Sequence, residues 1–130
     1  MGAMLEKPIP FVATATTDLS AFSWVFVKFS STSTDANKVV EIATSATVCG
    51  ILVQGAIAGR DMEIIPLNNQ PAKITASAVI AVDAKVIMTT GGKGVSTTAN
   101  NTNYYFVATE AATADGNVIC GYTCNAFYAA

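Results

Sequence analysis

Sixteen threonines, 13 valines and 10 isoleucines stand against only 4 leucines in this chain, and that bias decides the secondary structure before any pattern is considered. Two heavy atoms on Cβ leave such side chains few rotamers against a helical turn, whereas a pleated strand accommodates them. Alanine is also abundant, at 22 residues, but it is scattered through Thr- and Gly-containing stretches without a sustained 3.6-residue apolar period. The chain therefore reads as all-β.

The strongest strand is Phe22 to Phe29, FSWVFVKF, with Phe22, Trp24, Phe26 and Lys28 on one side and Ser23, Val25, Val27 and Phe29 on the other. It is apolar on nearly both faces, as a strand buried on two sides should be. KVVEIA, VCGILVQG and MEIIPL follow as further strands, the last containing Pro66, which lacks a backbone donor and suits an edge or a strand end. ITASAVIAV places Ile74, Ala76, Ala78, Ile80 and Val82 on one face and predicts a core-facing strand. AKVIMTTGGKGVSTT predicts a hairpin in which Gly91, Gly92 and Gly94 supply positive φ. YYFVAT and VICGYTC predict another, joined by EAATADGN with Asp115-Gly116 as the turn pair. Roughly eight to ten short strands, with a turn signal about every ten residues, predict a single small β-sandwich or barrel-like domain. That domain spans residues 18–130, and residues 1–17, with Pro8 and Pro10 around Ile9, form an extended N-terminal arm.

Charged residues supply 12% of the chain, about half the ~25% of an ordinary soluble domain. A surface built mostly of Thr, Ser, Asn and Ala is poorly solvated by charge, so much of it should be covered by partners. The net charge is −2 and the cations stand singly, at Lys7, Lys28, Lys38, Arg60, Lys73, Lys85 and Lys93. Nucleic acid is a poor partner for such a pattern, because phosphate neutralisation needs clustered Lys and Arg. No apolar run approaches the ~20 residues of a membrane helix, which points to a soluble protein with no membrane partner. MGAMLEKPIPF lacks the basic start and apolar stretch of a secretory signal, so the chain is expected to be made and kept in a reducing cytosol. Cys49, Cys120 and Cys124 fit that setting as buried thiols. A bridge between Cys120 and Cys124 is unfavourable in a strand, where four residues span about 13 Å and a disulfide needs Cα atoms within ~7 Å.

Catalytic chemistry is hard to assemble from this composition. The chain has no histidine, which removes the commonest general base and metal ligand and rules out a Ser/His/Asp or Cys/His triad. No Cys-x-x-Cys pair exists, and neither a metal nor another cofactor is expected. Asp61 and Glu63 are an i, i+2 acidic pair on one strand face, about 7 Å apart, but beside Arg60 and a turn they read as solvated charges. GGKGVS departs from the phosphate-loop pattern, since Lys93 is followed by Gly94 and then by strand. Asn100 begins a glycosylation sequon that has no use without export. Tyr104, Tyr105, Tyr122, Phe127 and Tyr128 crowd the last quarter, where a carbohydrate-stacking platform is one reading. Phe127 and Tyr128, close to the terminus, are expected to dock on a neighbouring subunit.

CGILVQGAIAGRDMEIIPL, VDAKVIMTTGGKGVSTT and FVATEAATADGNVICGY, in that order and spacing, resemble the small capsid decoration or cement proteins of tailed bacteriophages. The resemblance covers roughly residues 48–122 and is most specific in the closing segment. It implies a non-enzymatic virion protein on the outer capsid surface, clamping neighbouring subunits of the major capsid protein, often as a homotrimer. The apolar residues expected outside the core, Ile9, Phe11 and Val12 in the arm and Phe127 and Tyr128 near the end, are the candidate partner contacts. An apolar arm of this kind can also add a strand to a neighbour. Alternative readings are another phage or filament structural subunit (tail, fibre or pilus-like) and a carbohydrate-binding β module.

Overall fold

Alternating aromatic and β-branched side chains make Ser23–Phe29 an inner strand of a sheet buried on both faces. The computed structural model describes residues 8–44, 47–99 and 102–128. Its first antiparallel sheet contains β1 (Phe11–Ala13), β2 (Ser23–Phe29), β3 (Val40–Ile42), β4 (Gly50–Gln54) and β5 (Met62–Pro66), in the order β1-β5-β4-β2-β3. The second contains β6 (Pro71–Thr75), β7 (Lys85–Met88), β8 (Gly94–Ser96), β9 (Thr102–Ala108) and β10 (Val118–Tyr128), in the order β6-β10-β9-β7-β8. The only helical piece among the described residues is a single 3-10 turn at Thr90–Gly92. The all-β expectation is met, with two sheets, one of them a half-barrel.

Register explains the two buried faces. Phe26 pairs with Ile51, and Ile51 with Ile65, in one row that joins Ala72, Ile74, Val86 and Phe106 of the second sheet in the main core. The neighbouring row, Val25, Leu52, Ile64 and Phe11, lies on the opposite face. There it packs with Ala13, Ala15, Leu19, Val40 and Met62 in a second core. Fully burying each such Val, Leu, Ile or Phe side chain contributes about 1.5–3 kcal/mol, so neither face can be exposed cheaply.

The N-terminal segment helps build the half-barrel. β1 pairs with β5 on one edge of the first sheet, and the next residue, Thr14, bridges Val39 beside β3 on the other. Thr14 N–H donates to Lys38 O at 3.0 Å and Val40 N–H donates to Thr14 O at 2.8 Å. In the second sheet Ala76, just past β6, bridges Gly94 of β8 in the same parallel sense. Both sheets thus curl until their outer strands are tied, an arrangement that leaves little edge open to stray pairing.

Two expectations need correction. The apolar face read through Ile74 to Val82 is not one strand: β6 ends at Thr75, Ala76 and Ile80 each form a single bridge, and Ser77 N–H turns to Gly94 O. Ile80 is fully buried, whereas Ala78 and Val82 are exposed. In the β7–β8 hairpin, positive φ falls on Gly91 (76°) and Gly92 (75°) but not on Gly94. A Cβ on Gly94 would lie 2.7 Å from Val86 Cγ1, so a close approach explains that glycine. Within β2, Trp24 has φ 53°, a left-handed conformation that bulky residues rarely adopt. Thr75 Oγ1 donates to the neighbouring Ser23 carbonyl at 3.0 Å, and Lys73 Nζ sits 5.9 Å from the Trp24 ring centroid.

The β9–β10 connection turns at Asp115-Gly116 as expected, with φ 90° at Gly116. Asn117 Oδ1 accepts from Thr113 N–H, Thr113 Oγ1–H and Ala114 N–H, and Lys93 pairs with Asp115 at 3.0 Å across to the β7–β8 hairpin. At the root of the loop, Cys120 N–H donates to Glu110 Oε1 at 2.7 Å. That hydrogen bond is the main cause holding the Glu110 carboxyl below its ordinary pKa. A depressed folded-state pKa gives stability that is complete above the unfolded value, about 4.3, and is lost as pH falls through the folded value. Thermal melts from neutral to acid pH should therefore show the advantage of the wild type over Glu110→Gln shrinking below about pH 4. A gap that stayed constant through that window would remove the linkage.

Candidate interaction surface

Ile9 stands 76% exposed, with its N–H donating to Gln70 Oε1 at 2.9 Å. Gln70 in turn connects to β10, because Thr123 N–H donates to Gln70 O at 2.8 Å and Gln70 N–H donates to Thr123 Oγ1 at 3.0 Å. Thr123 Oγ1–H then donates to Pro66 O at 2.8 Å, and the side chain is wholly buried. Through this node the start of the described chain is tied to the point from which β10 continues to Phe127 and Tyr128. Ile9 is thus tied through Gln70 to Thr123, which lies four residues before Phe127 on β10.

The five candidates differ in what they offer. Phe11 lies half-buried against the second core, its ring centroid 5.8 Å from that of Phe29. Val12 points outward opposite Glu63, 54% exposed, beside a depression of about 200 Å³ lined by Val53, Gln54, Asp61, Met62 and Glu63. Phe127 is 58% exposed on β10 opposite Asn103. Tyr128 pairs through its backbone with Thr102, and its side chain lies outside the described residues.

The outward backbone edge of the first described residues is short of donors. Thr14 N–H points away from β5 toward Lys38, so alternation assigns the N–H positions of residues 12, 10 and 8 to that same side. Pro10 and Pro8 have no N–H to give, which leaves Val12 as the donor there. Contacts from this segment therefore fall to side chains more than to a ladder.

Sequence reasoning missed a second exposed apolar patch, at Ala78, Val79, Ala81 and Val82. It is pinned by a backbone pair between Ile80 and Ala112, with N–H···O distances of 3.0 and 2.8 Å. Continuous alternation through 74–82 concealed it.

The remaining chemical candidates separate cleanly. Asp61 and Glu63 are both exposed, and among the described residues no group of three His, Cys, Asp or Glu side chains could hold a metal ion. Lys93 is engaged by Asp115. The three cysteines are thiols, and burial pushes Cys49 up to about 12 and raises Cys120 and Cys124 as well. Cys120 is buried, whereas Cys49 and Cys124 are half-buried. Tyr105 is buried with its ring edge-on to Phe26, and Tyr104 lies under Lys85, so the two do not form an open stacking surface. Asn100 of the sequon lies outside the described residues.

No family model and no curated protein sequence matches the chain. The fold is shared with the N base of the head fibre gp8.5 of bacteriophage phi29, whose crystal structure aligns with a TM-score of 0.70 over 92% of this chain and 96% of that one, at 17% sequence identity.

Proposed function

We propose that this chain is a non-enzymatic structural protein of a phage head, attached to the outer surface of the shell. The observation that carries the reading is the fold correspondence along nearly the whole length of both chains with a head fibre base. The resemblance of residues 48–122 to capsid decoration proteins points the same way from the sequence. In this reading the partner is the major capsid protein, whose neighbouring subunits are clamped by a homo-oligomer, a trimer in the decoration-protein pattern. Ile9 and Val12 meet the shell with Phe11 as their buried footing, while Phe127 and Tyr128 face a neighbouring copy. Because the shared fold is that of a fibre's base, a fibre-bearing role on the same shell is the second reading. The buried Tyr105 weighs against a glycan-binding module.

Co-sedimentation with empty phage shells tests the proposal. The wild type should bind, and Ile9→Asp with Val12→Asp should weaken binding by roughly tenfold or more, since losing one well-buried aliphatic contact is worth about 1.5–3 kcal/mol. Point variants are preferable to removing residues 1–17, because Ala13 and Ala15 belong to the second core. A wild type that ignored shells would sink the proposal, and an unaffected double variant would sink the arm assignment alone.

A further inference from the structure

Asp115 is the only one of the five aspartates that precedes a glycine, and no asparagine does. In such a pair the glycine nitrogen, with no Cβ beside it, is the least hindered of backbone nucleophiles toward the aspartate Cγ. Its attack on the protonated carboxyl forms an N–Cγ bond and closes a five-membered succinimide. The amide proton and the carboxyl O–H leave together as water. Water then reopens the ring at either carbonyl. Opening at Cγ restores aspartate, whereas opening at the backbone carbonyl gives isoaspartate, whose main chain runs on through Cβ and Cγ. Water is the sole co-reactant, and the product has the mass of the starting chain.

The fold leaves room for this ring and also restrains it. The Asp115 side chain is 66% exposed, and nothing lies within 4 Å of the point where a Cβ on Gly116 would stand. Against closure, Lys93 Nζ holds Asp115 Oδ1 at 3.0 Å, toward the β7–β8 hairpin. The nucleophile is engaged as well, because Gly116 N–H donates to Ala76 O at 2.8 Å and Ala76 N–H donates to Asn117 O at 2.8 Å. Ala76 thus clamps the turn on both sides of Gly116. Asn117 Oδ1 closes the other end by accepting from Thr113 N–H, Thr113 Oγ1–H and Ala114 N–H.

We propose that Asp115-Gly116 is a modification site at which the chain isomerises to isoaspartate, with Lys93 and Asn117 as the restraints that set the rate. The product removes its own restraints. One more methylene in the backbone shifts Gly116 N–H out of register with Ala76 O, and the carboxylate then hangs directly on Cα, one carbon short of Lys93. Conversion therefore unties the β7–β8 hairpin from the β9–β10 connection and records how often the turn has opened. This chemistry belongs to the turn alone and does not rest on the shell binding proposed above.

Prolonged incubation of the folded wild type, Lys93→Met and Asn117→Ala in mildly acidic buffer decides it. Proteolysis and electron-transfer fragmentation then distinguish isoaspartate from aspartate. Isoaspartate should accumulate in the wild type at residue 115 and at no other aspartate. Lys93→Met should form it about two- to fivefold faster, the factor that an exposed ion pair holds back. Asn117→Ala should form it about tenfold faster, as expected for a turn that loses one hydrogen bond's worth of closure or more. Molar salt on the wild type covers the case in which a variant fails to fold, since screening the ion pair should raise the rate as Lys93→Met does. An unchanged Asp115 in the wild type, a folded variant no faster than the wild type, or a rate indifferent to salt would each overturn the proposal. So would a loss of one water that joins the peptides carrying residues 93 and 115, which is an amide between Lys93 and Asp115 instead.

Discussion

Gly121→Ala is expected to destabilise the fold by about 3 kcal/mol or more, at the upper end of what overpacking a core costs. Gly121 lies in mid-β10, between Ala108 of β9 and Ala72 of β6. The row of small residues exists because the ring of Phe106 folds across it. A Cβ at Gly121 would sit 2.4 Å from Phe106 Cζ and 2.3 Å from the Val107 carbonyl oxygen. The ring is fully buried among Phe26, Ile74 and Val86, so it has little room to retreat. The carbonyl belongs to the β9 backbone and can move only if the β9–β10 pairing moves with it. For a domain whose net stability is about 5–15 kcal/mol, the loss is a large share of the total. Urea unfolding followed by circular dichroism measures it directly. Gly116→Ala is the control: its φ of 90° is costly for alanine, but nothing lies within 4 Å of the added carbon, so about 1 kcal/mol is expected. If Gly121→Ala proved as mild as Gly116→Ala, the close approach of Phe106 would be wrong.

Phe106 also shows how far the sequence could be read. YYFVAT announces a strand, and VICGYTC its partner, because alternation and β-branching are local properties. Which glycine must lie under which ring depends on the register between the two, which no local pattern states. β2, β4 and β5 were legible for the same reason that β9 and β10 were. β1 was not: Pro8 and Pro10 argued for an arm, and its three residues pair only because β5 offers an edge. Alternation through Ile74–Val82 misled, since Ala76 and Ile80 are anchored one at a time, to Gly94 and Ala112, by long-range bridges. The surface was legible in part. Ile9, Val12 and Phe127 stood out as apolar residues beyond the expected core and are exposed. Val79 and Val82 were hidden by their resemblance to core positions, and the point at which β10 outruns its pairing with β6 appears only when the two registers are compared.

Thr123 was the least legible residue of all, and replacing it with valine should cost about 2–3 kcal/mol although shape and volume are nearly kept. Within VICGYTC it reads as one more β-branched strand residue. In the fold its hydroxyl is fully buried, donates to Pro66 O and accepts from Gln70 N–H. Valine would leave that carbonyl and that N–H facing an apolar methyl, and each buried group left unpaired costs about 1–3 kcal/mol. The Thr123 N–H to Gln70 O bond would survive, which keeps the estimate below the sum of both penalties. Thr123→Ser restores the hydroxyl and should recover most of the loss, short of about 1 kcal/mol for the missing methyl. The consequence extends to the surface, because Gln70 positions Ile9 while Thr123 begins the stretch leading to Phe127. Hydrogen exchange in Thr123→Val should therefore rise together at Ile9, Gln70 and Cys124, ahead of Ile51 in the main core. If valine and serine variants unfolded at the same urea concentration, the hydroxyl would have no structural role; if exchange rose at Gln70 without Ile9 and Cys124, the two ends of the surface would be independent.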